Sequence, residues 1–209
     1  MATLFPLETK PALREKLLFA RQSLSASDRE LAAGRLAARA SDFWDSLLAS
    51  SPALAALAPP QIPIALYAAL PGELDCFPLL ERLAAQNFPT LLPAAGAKAT
   101  PLKFRLWRPG EKLVVGRFGL REPDVSAPEM TPKIIFAPLL GFDAEGGRLG
   151  FGGGYYDATL AQLRREAPVL AGGLAFSCQQ AERIPREKHD QSLDFVITED
   201  RIFRFSTDP

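Results

Sequence analysis

Two helical patterns open the chain. Apolar side chains recur on one face of a helix that begins at Thr9, and again after Ser27, where Ser27 and Glu30 form a capping box. Together the two patterns predict a helical segment over residues 9–50. A stretch rich in Ala and Pro over 51–60 predicts a linker.

Apolar runs and helical periodicity alternate through the rest of the chain. Helices are predicted after the capping residue Asp75 and from Tyr155, and residues 110–131 look irregular. Strands are predicted at Ile62–Leu70, Thr90–Pro93, Leu102–Trp107, Ile134–Leu140, Val169–Phe176 and Phe195–Thr198. This alternation predicts an α/β fold with a largely parallel sheet that helices cover on both faces. We expect residues 1–209 to form a single domain that includes the helical segment.

A glycine-rich segment over residues 141–157, GFDAEGGRLGFGGGYYD, carries the clearest chemistry. It lies between the predicted strand at Ile134 and the predicted helix at Tyr155. This layout points backbone N–H groups and a helix N-terminus at a bound phosphate, and glycines let the backbone approach the anion. Arg148 adds a cation, and Asp157 adds a carboxylate that could hold magnesium. The segment therefore predicts a nucleotide site.

The segment matches neither of the common nucleotide motifs. A P-loop needs Lys followed by Ser or Thr after its last glycine, where this chain has Tyr155. A dinucleotide fingerprint needs a glycine three positions after Gly152, and that position is again Tyr155. The alternative interpretation is a tight turn that needs a positive φ at several positions. Three adjacent glycines among Arg, Tyr and Asp side chains exceed what such a turn requires.

Other polar residues are candidates because of their position. Lys10 and Arg14 lie four residues apart, so both cations share one side of the first helix. Glu73 follows Pro-Gly at the end of a predicted strand, and Asp190 precedes the final one. Ligands of open parallel sheets lie at the carboxyl ends of the strands, where Glu73 and the glycine-rich segment both fall. For Glu73 and the two cations, a solvated surface charge is the alternative interpretation.

Composition narrows the function classes. The chain has 24 Lys and Arg against 24 Asp and Glu, so no overall field favours nucleic acid or an anionic membrane. The longest apolar stretch is too short to span a bilayer, and the N-terminus has neither a basic start nor an apolar signal core. Cys76 and Cys178 match no zinc or redox spacing, and a single histidine, His189, disfavours a Ser-His-Asp triad. We expect a cytoplasmic monomer that acts on small molecules.

The motifs resemble those of one enzyme family. Gly141-Phe142-Asp143, Arg148-Leu149-Gly150 and Gly152-x-Gly154-Tyr155-Tyr156-Asp157 resemble the signature of the 5-formyltetrahydrofolate cyclo-ligase family, also called 5,10-methenyltetrahydrofolate synthetases. The resemblance runs the length of the chain. It continues through Lys10-x-x-x-Arg14, Glu73, Gly119–Pro123, His189-Asp190 and Asp194–Glu199.

The resemblance implies a reaction and a fold. The reaction is the ATP- and Mg²⁺-dependent conversion of 5-formyltetrahydrofolate to 5,10-methenyltetrahydrofolate, through phosphorylation of the formyl oxygen and with release of ADP and phosphate. The implied fold has three layers, like that of sugar-phosphate isomerases and CoA transferases. Two alternatives stay open. One is a sugar-phosphate isomerase-like enzyme, which needs no ATP, and the other is a catalytically silent nucleotide-binding module.

The resemblance also implies roles for individual residues. Arg148 and Tyr155 would serve catalysis, and Asp157 and Asp190 would serve Mg²⁺, with the part of Asp194 left open. The folate would be held by Glu73, Gly152, Gly153, Gly154 and Tyr155. ATP would be bound by Lys10, Arg14, Arg148, Leu149, Gly150, Phe151, Gly152, Gly153, Gly154, Tyr155 and Tyr156.

One departure from the family pattern concerns charge. Some members have Arg and Lys where this chain has Phe151 and Gly153. The phosphate charge must then be met by Arg148, Lys10 and Arg14, together with backbone N–H groups and metal.

Overall fold

The computed structural model describes residues 8–49 and 51–205. The first helix, α1 (Lys10–Gln22), begins where its sequence predicts. Thr9 precedes it in an extended conformation, and its hydroxyl accepts a hydrogen bond from the Ala12 N–H at 3.5 Å. The capping oxygen satisfies one of the N–H groups that a helix start leaves without a partner.

The second helix, α2 (Ala26–Ala49), completes the predicted helical segment. Its predicted start at Ser27 is wrong. Ser25 supplies the capping oxygen, because its hydroxyl accepts from the Asp28 N–H at 3.0 Å and also donates to the Asp28 carboxylate at 2.6 Å. Two serines two residues apart present the same signal, and the first one is used.

Eleven strands and three more helices are described beyond α2. The helices are α3 (Pro52–Ala55), α4 (Phe77–Ala85) and α5 (Tyr155–Glu166). The strands are β1 (Ile64–Ala65), β2 (Thr90–Ala94), β3 (Lys103–Leu106), β4 (Leu113–Val115), β5 (Arg121–Pro123), β6 (Ile134–Ala137), β7 (Gly141–Phe142), β8 (Arg148–Leu149), β9 (Leu170–Leu174), β10 (Phe195–Ile197) and β11 (Ile202–Arg204). Short 3₁₀ turns lie at Pro59–Gln61, Arg117–Gly119 and Ser177–Gln179.

Seven of the strands form one central sheet in the order β11-β10-β9-β6-β1-β2-β3. The five inner strands are parallel, and the edge strands β3 and β11 are antiparallel to their neighbours. From β1 the chain continues to β2 on one side, whereas from β6 it continues to β9 and β10 on the other side. The direction of the connections therefore reverses between β1 and β6. Such a switch point opens a crevice at the carboxyl ends of the strands. The predicted largely parallel α/β sheet is confirmed.

Helices pack on both faces of this sheet. Ile134 and Phe136 of β6 belong to an apolar cluster that includes Leu36 of α2 and Leu79 of α4. Ile135 of the same strand points to the other face and belongs to a second cluster, with Leu160 of α5. Side chains alternate along a strand, so β6 supplies both cores. The result is the three-layer arrangement that the family resemblance implies.

Four stretches differ from the sequence-based expectation. β1 is two residues long because the chain leaves the sheet after Leu66 and forms the turn that carries Glu73. The predicted linker contains α3, and the region expected to be irregular contains the antiparallel pair β4 and β5. The strand expected to be the last is followed by β11. Elements of three or four residues are too short to show a reliable period in sequence.

Candidate active site

A cavity of about 490 Å³ lies at the carboxyl ends of β1, β2 and β6. We call it the central cavity. Its walls include Tyr67 and Ala68 after β1, Pro93 and Ala95 at the end of β2, and Pro138 after β6. The switch point of the sheet therefore opens into this cavity, where the ligands of open α/β sheets bind.

Every residue that the resemblance implicates, apart from the open case of Asp194, lines the central cavity. They come from α1, from the turn after β1, from the glycine-rich segment and from the loop before β10. They are Lys10, Arg14, Glu73, Arg148, Leu149, Gly150, Phe151, Gly152, Gly153, Gly154, Tyr155, Tyr156, Asp157 and Asp190. The structure brings these residues together, and their individual roles stay predictions.

The glycine-rich segment is more elaborate than the expected strand, turn and helix. A small hairpin, β7 and β8, stands between the strand and the loop. Asp143 of this hairpin is buried and accepts hydrogen bonds from the N–H groups of Gly147 at 2.7 Å and Ile184 at 2.9 Å. The Gly-Phe-Asp part of the motif thus shapes the hairpin, outside the cavity lining.

The loop that follows β8 leads directly into α5. Gly152 and Gly154 have φ angles of +88° and +70°, which favour glycine. Gly154 caps α5 and has no side chain that could bond the first N–H groups of the helix. Arg14 Nε donates to the Gly150 carbonyl at 2.8 Å, and the Ala99 N–H donates to the Gly153 carbonyl at 3.2 Å. The loop is held at both ends, and the start of α5 lies at an anion-suited position.

Arg148 and Asp157 form a close ion pair. Arg148 Nη2 lies 2.7 Å from Asp157 Oδ1, and the Arg148 side chain is 6% exposed. Its guanidinium also stacks on the ring of Tyr156, 5.5 Å from the centroid. The Gln191 N–H donates to the same Asp157 oxygen at 3.1 Å. Asp157 thereby links the first turn of α5 to the loop that contains Asp190.

Lys10 lies between two acids of that loop. Its Nζ is 2.7 Å from Asp190 Oδ2 and 2.8 Å from Glu187 Oε1. Burial by itself lowers the pKa of Lys10, but the hydrogen bonds to both acids outweigh it and raise the pKa. Burial by itself raises the pKa of Asp190, and the hydrogen bonds from Lys10 and the Glu187 N–H outweigh it and lower the pKa. Both groups are charged near neutral pH.

Glu73 belongs to a tight turn at the other side of the cavity. Its N–H donates to the Leu70 carbonyl at 2.9 Å, and the Leu70 N–H donates to Glu73 Oε2 at 2.9 Å. Burial raises the pKa of Glu73, while the Leu70 hydrogen bond and the charge of Arg21 hold the rise down. Burial also raises the pKa of Tyr67 and of Tyr156, so both phenols near Glu73 are neutral.

A magnesium site can be tested against these contacts. Within residues 8–49 and 51–205, no group of three or more His, Cys, Asp or Glu is placed to hold a metal ion. Asp157 and Asp190 face the same cavity, but each is paired with a cation. Mg²⁺ bound with a nucleotide uses one or two carboxylates, with phosphate oxygens and waters as its other ligands. Asp157 and Asp190 can supply these one or two carboxylates. They do not form a site in which protein groups alone surround the ion.

Asp194 has a different environment. Its Oδ2 accepts from the Ala171 N–H at 2.6 Å and from Arg164 Nη2 at 3.2 Å. It fastens β10 to β9 and is absent from the cavity lining.

Sequence reasoning missed several residues of the cavity wall. They are Tyr67, Ala68, Leu70, Pro93, Ala95, Leu102, Leu120, Arg121, Pro138, Glu187 and His189. Arg121 lies within a motif of the family resemblance, so a signal was present for it. Glu187 carried no signal, since its role depends on a contact with Lys10, 177 positions away.

Fold and cavity together define the class of this protein: an α/β protein with an anion-suited cavity at the switch point of a parallel sheet. None of the described helices is both long enough and apolar enough to cross a membrane. The family model of the 5-formyltetrahydrofolate cyclo-ligases matches residues 6–199, and the chain belongs to this family.

Individual relatives agree with this assignment. The chain is 34% identical to the 5-formyltetrahydrofolate cyclo-ligase of Escherichia coli (strain K12) over 149 residues, which cover 68% of this chain and 80% of that protein. It is 36% identical over 139 residues to the enzyme of the same name from Haemophilus influenzae, covering 64% and 74% of the two chains.

A solved structure extends the agreement to the whole fold. The NMR structure of Aquifex aeolicus 5,10-methenyltetrahydrofolate synthetase has a TM-score of 0.69 and 31% sequence identity, and the match covers 96% of this chain and 94% of that one. The predicted family, the α/β fold and the assignment as a ligase of folate metabolism are confirmed. Family membership favours the ligase over the isomerase-like enzyme and over the silent module.

Proposed function

We propose that the central cavity converts 5-formyltetrahydrofolate to 5,10-methenyltetrahydrofolate by transferring the γ-phosphoryl group of ATP to the formyl oxygen. The observation that carries this proposal is the composition of one cavity wall. Lys10, Arg14 and Arg148 converge with the start of α5, while Glu73 approaches the same space from the turn after β1. A site for phosphates and a site for an N–H-rich ring therefore adjoin.

The chemistry needs such an arrangement. A formamide carbon is a poor electrophile, and its oxygen is a poor leaving group. Phosphorylation of that oxygen by ATP releases ADP and gives an iminium phosphate, which N10 attacks to close the ring. N10 loses its proton, and the C–O bond breaks to release phosphate. Phosphoryl transfer depends on positioning and on charge neutralisation, so no protein nucleophile is required.

The cations provide the phosphate side of the site. Arg148 is almost buried, so its interaction with phosphate is little weakened by solvent. Arg14 bonds the Gly150 carbonyl through Nε, which fixes the guanidinium against the loop. The first N–H groups of α5 follow Gly154. These donors would receive the phosphates, and Arg148 and Tyr155 would lie beside the reacting group.

Glu73 provides the folate side. A pterin ring offers adjacent N–H donors, and a carboxylate can accept two of them as a bidentate pair. The turn at Leu70 fixes the Glu73 side chain through one of its oxygens. An oxygen has more than one lone pair, so this bond leaves acceptor capacity for the ring.

Asp157 and Asp190 are the residues that would hold Mg²⁺ beside the phosphates. A bound Mg²⁺ neutralises phosphate charge and fixes the geometry of transfer. Both side chains lie in the same cavity wall, which supports the proposal. We also propose that the protein works in the cytoplasm as a monomer, without nucleic acid or membrane. Its net charge of zero supports the last point only, because no overall field attracts a polyanion.

The experiment is direct. Purified protein is mixed with 5-formyltetrahydrofolate, ATP and Mg²⁺, and the near-ultraviolet band of the methenyl product is followed. Product is expected only when all three are present, with one ADP formed per turnover. Product formation at an equal rate without ATP would contradict the ligase mechanism, and ADP formation without product would indicate an uncoupled nucleotidase.

A further inference from the structure

Arg21 is a buried cation with two guanidinium nitrogens that have no hydrogen-bond partner among the described residues. It lies in the last turn of α1, and the residue is 3% exposed. Its Nε and Nη1 are buried and have no hydrogen-bond partner in the described part of the chain. A buried charge that lacks a partner is unfavourable, so this position requires an explanation in terms of another charge.

Arg21 lies beside the wall of the central cavity. Its guanidinium lies 5.6 Å from the ring centroid of Phe151, which is 55% exposed and lines the central cavity. Arg21 itself is not among the lining residues. Arg21 therefore contacts a residue of the cavity wall and does not itself line the cavity.

Glu73 is the acid that feels this charge. Burial raises the pKa of Glu73, and the hydrogen bond from the Leu70 N–H and the positive charge of Arg21 both lower it. Burial lowers the pKa of Arg21, and Glu73 is the largest influence that opposes it, ahead of Tyr67 and Cys178. Arg29, from α2, acts on Arg21 as a like charge, and its guanidinium also lies at the Glu73 turn, 3.8 Å from the position of a Cβ at Gly72.

The uncharged groups near Glu73 cannot balance its negative charge, so the charge of Arg21 matters more. Tyr67 and Tyr156 are buried and neutral, and Cys76 is a buried thiol whose pKa burial raises to about 12. None of these groups can neutralise a carboxylate. Asp75, the remaining nearby acid, has the same sign of charge as Glu73.

We propose that Arg21 is a positioning residue whose charge, held beside Phe151 and outside the cavity lining, keeps the Glu73 carboxylate ready for the N–H groups of the folate ring. The inference rests on the proposed role of Glu73. No ion pair within 4.0 Å joins the two residues in residues 8–49 and 51–205. A direct salt bridge would occupy the carboxylate oxygens, whereas a cation farther away stabilises the charge and leaves the oxygens to the ligand.

The helix explains how the cation reaches this place. Lys10, Arg14 and Arg21 are separated by four and seven residues, which places them on one face of α1. Leu17 lies on the same face, and Gly141 makes room for it, because a Cβ at Gly141 would clash with Leu17 Cδ1. One helix face thus supplies cations to both sides of the cavity.

The test is the pH dependence of folate use by Arg21→Met and Arg21→Lys. Without Arg21, the pKa of Glu73 rises further above its ordinary value, so a larger fraction of Glu73 is protonated as the pH falls. Arg21→Met should raise the KM for 5-formyltetrahydrofolate about tenfold at the acidic end of the profile, if the pKa moves by one unit. The KM should recover at higher pH, while kcat and the KM for ATP stay unchanged. Arg21→Lys should keep the wild-type profile.

Controls separate this role from packing. Lys16→Met removes another cation of α1, one that pairs with Glu8 at 3.3 Å outside the cavity lining, so the pH profile should stay as in the wild type. Arg21→Gln is measured beside Arg21→Met, so that a neutral variant remains if one of them does not fold. In a Glu73→Gln background, Arg21→Met should add no pH-dependent loss.

The outcomes are distinct. A neutral Arg21 variant with the wild-type pH profile, or an equal loss at every pH that persists in the Glu73→Gln background, would overturn the inference. Unchanged folate affinity in Glu73→Gln alone would instead overturn the proposed role of Glu73. A pH-dependent loss in Arg21→Met that vanishes in the double variant would establish the coupling.

Discussion

Two sides of the central cavity hold their charges in different ways. On the ion-paired side, Lys10 contacts Asp190 and Arg148 contacts Asp157, each at 2.7 Å. On the Glu73 side, the carboxylate is bound by a backbone N–H, and no ion pair of 4.0 Å or less involves it in the described residues. The charged side chains of the ion-paired side are therefore bound to each other, whereas Glu73 is a carboxylate without an ion-pair partner among the described residues.

This difference matches the two ligands. ATP with Mg²⁺ carries charges of both signs, so its binding can exchange partners: the cations turn to phosphate and the carboxylates to the metal. No charge is then left buried without a partner, which would be costly. A pterin ring offers neutral N–H donors and needs only an acceptor that is already in place. If the proposed roles hold, the cavity is preset for the folate and rearranges for the nucleotide.

The largest expected effect comes from breaking the ion-paired side at Arg148. Arg148→Ala should weaken ATP binding at least tenfold, because a hydrogen bond to a charged group contributes about 1.5–3 kcal/mol. The change also leaves Asp157 without its cation, while folate binding should be nearly unchanged. Equilibrium dissociation constants for ATP and for folate measure both effects.

A matched control exists for this variant. Arg164 also pairs with an aspartate, Asp194, at 3.2 Å, but it lies outside the cavity lining. Arg164→Ala should leave the ATP dissociation constant within a factor of two of the wild-type value. If Arg148→Ala behaves like Arg164→Ala, Arg148 has no part in binding phosphate.

A smaller effect is expected on the Glu73 side. Glu73→Gln should raise the folate dissociation constant by about fivefold or more and spare ATP, because an amide can accept hydrogen bonds with one atom only. Asp75→Asn is the control. Asp75 is a neighbouring exposed acid whose Oδ1 accepts from the Phe77 N–H at the start of α4. Equal folate affinity in both variants would reduce Glu73 to a turn residue.

The sequence predicted these two sides unequally. The glycine-rich segment, Lys10, Arg14 and Glu73 were found from motif and position, because local spacing and family pattern both mark them. Asp157 and Asp190 were found only as candidate metal ligands; their pairing with Arg148 and Lys10 was not predicted, and Glu187 was missed. Lys10 and Glu187 are 177 positions apart, and their contact exists only after the sheet brings α1 beside the loop before β10.

The same reason explains the missed elements of the fold. The long strands and helices were found because their apolar periods extend over several residues. The hairpin of β7 and β8 has two residues in each strand, and its shape depends on the buried Asp143 carboxylate rather than on any period. Arg21 was missed as well, since a basic residue on a helix gives no sequence signal that it will be buried.

The exchange of partners can be tested at the two aspartates. Asp157→Asn and Asp190→Asn should each raise the Mg²⁺ concentration needed for half-maximal rate, because an amide binds a hard cation less well than a carboxylate. Asp194→Asn is the control, since Asp194 bonds Ala171 and Arg164 away from the cavity. Titration of the rate with Mg²⁺ at fixed ATP measures the effect. Normal Mg²⁺ dependence in both cavity variants would show that Asp157 and Asp190 do not bind the metal and serve only as ion-pair partners of Arg148 and Lys10.

The smallest expected effect concerns the loop backbone that supports the ion-paired side. Gly154→Ala should destabilise the protein by about 1 kcal/mol, since the φ of +70° is unfavourable for any residue with a Cβ. Gly150→Ala is the matched control, because a Cβ there meets no atom within 4 Å and its φ lies outside the left-handed region. Urea unfolding measures both stabilities, and the KM for ATP should rise in Gly154→Ala more than the KM for folate. An equal rise of both KM values would show that the loop backbone supports the ion-paired side and the Glu73 side alike.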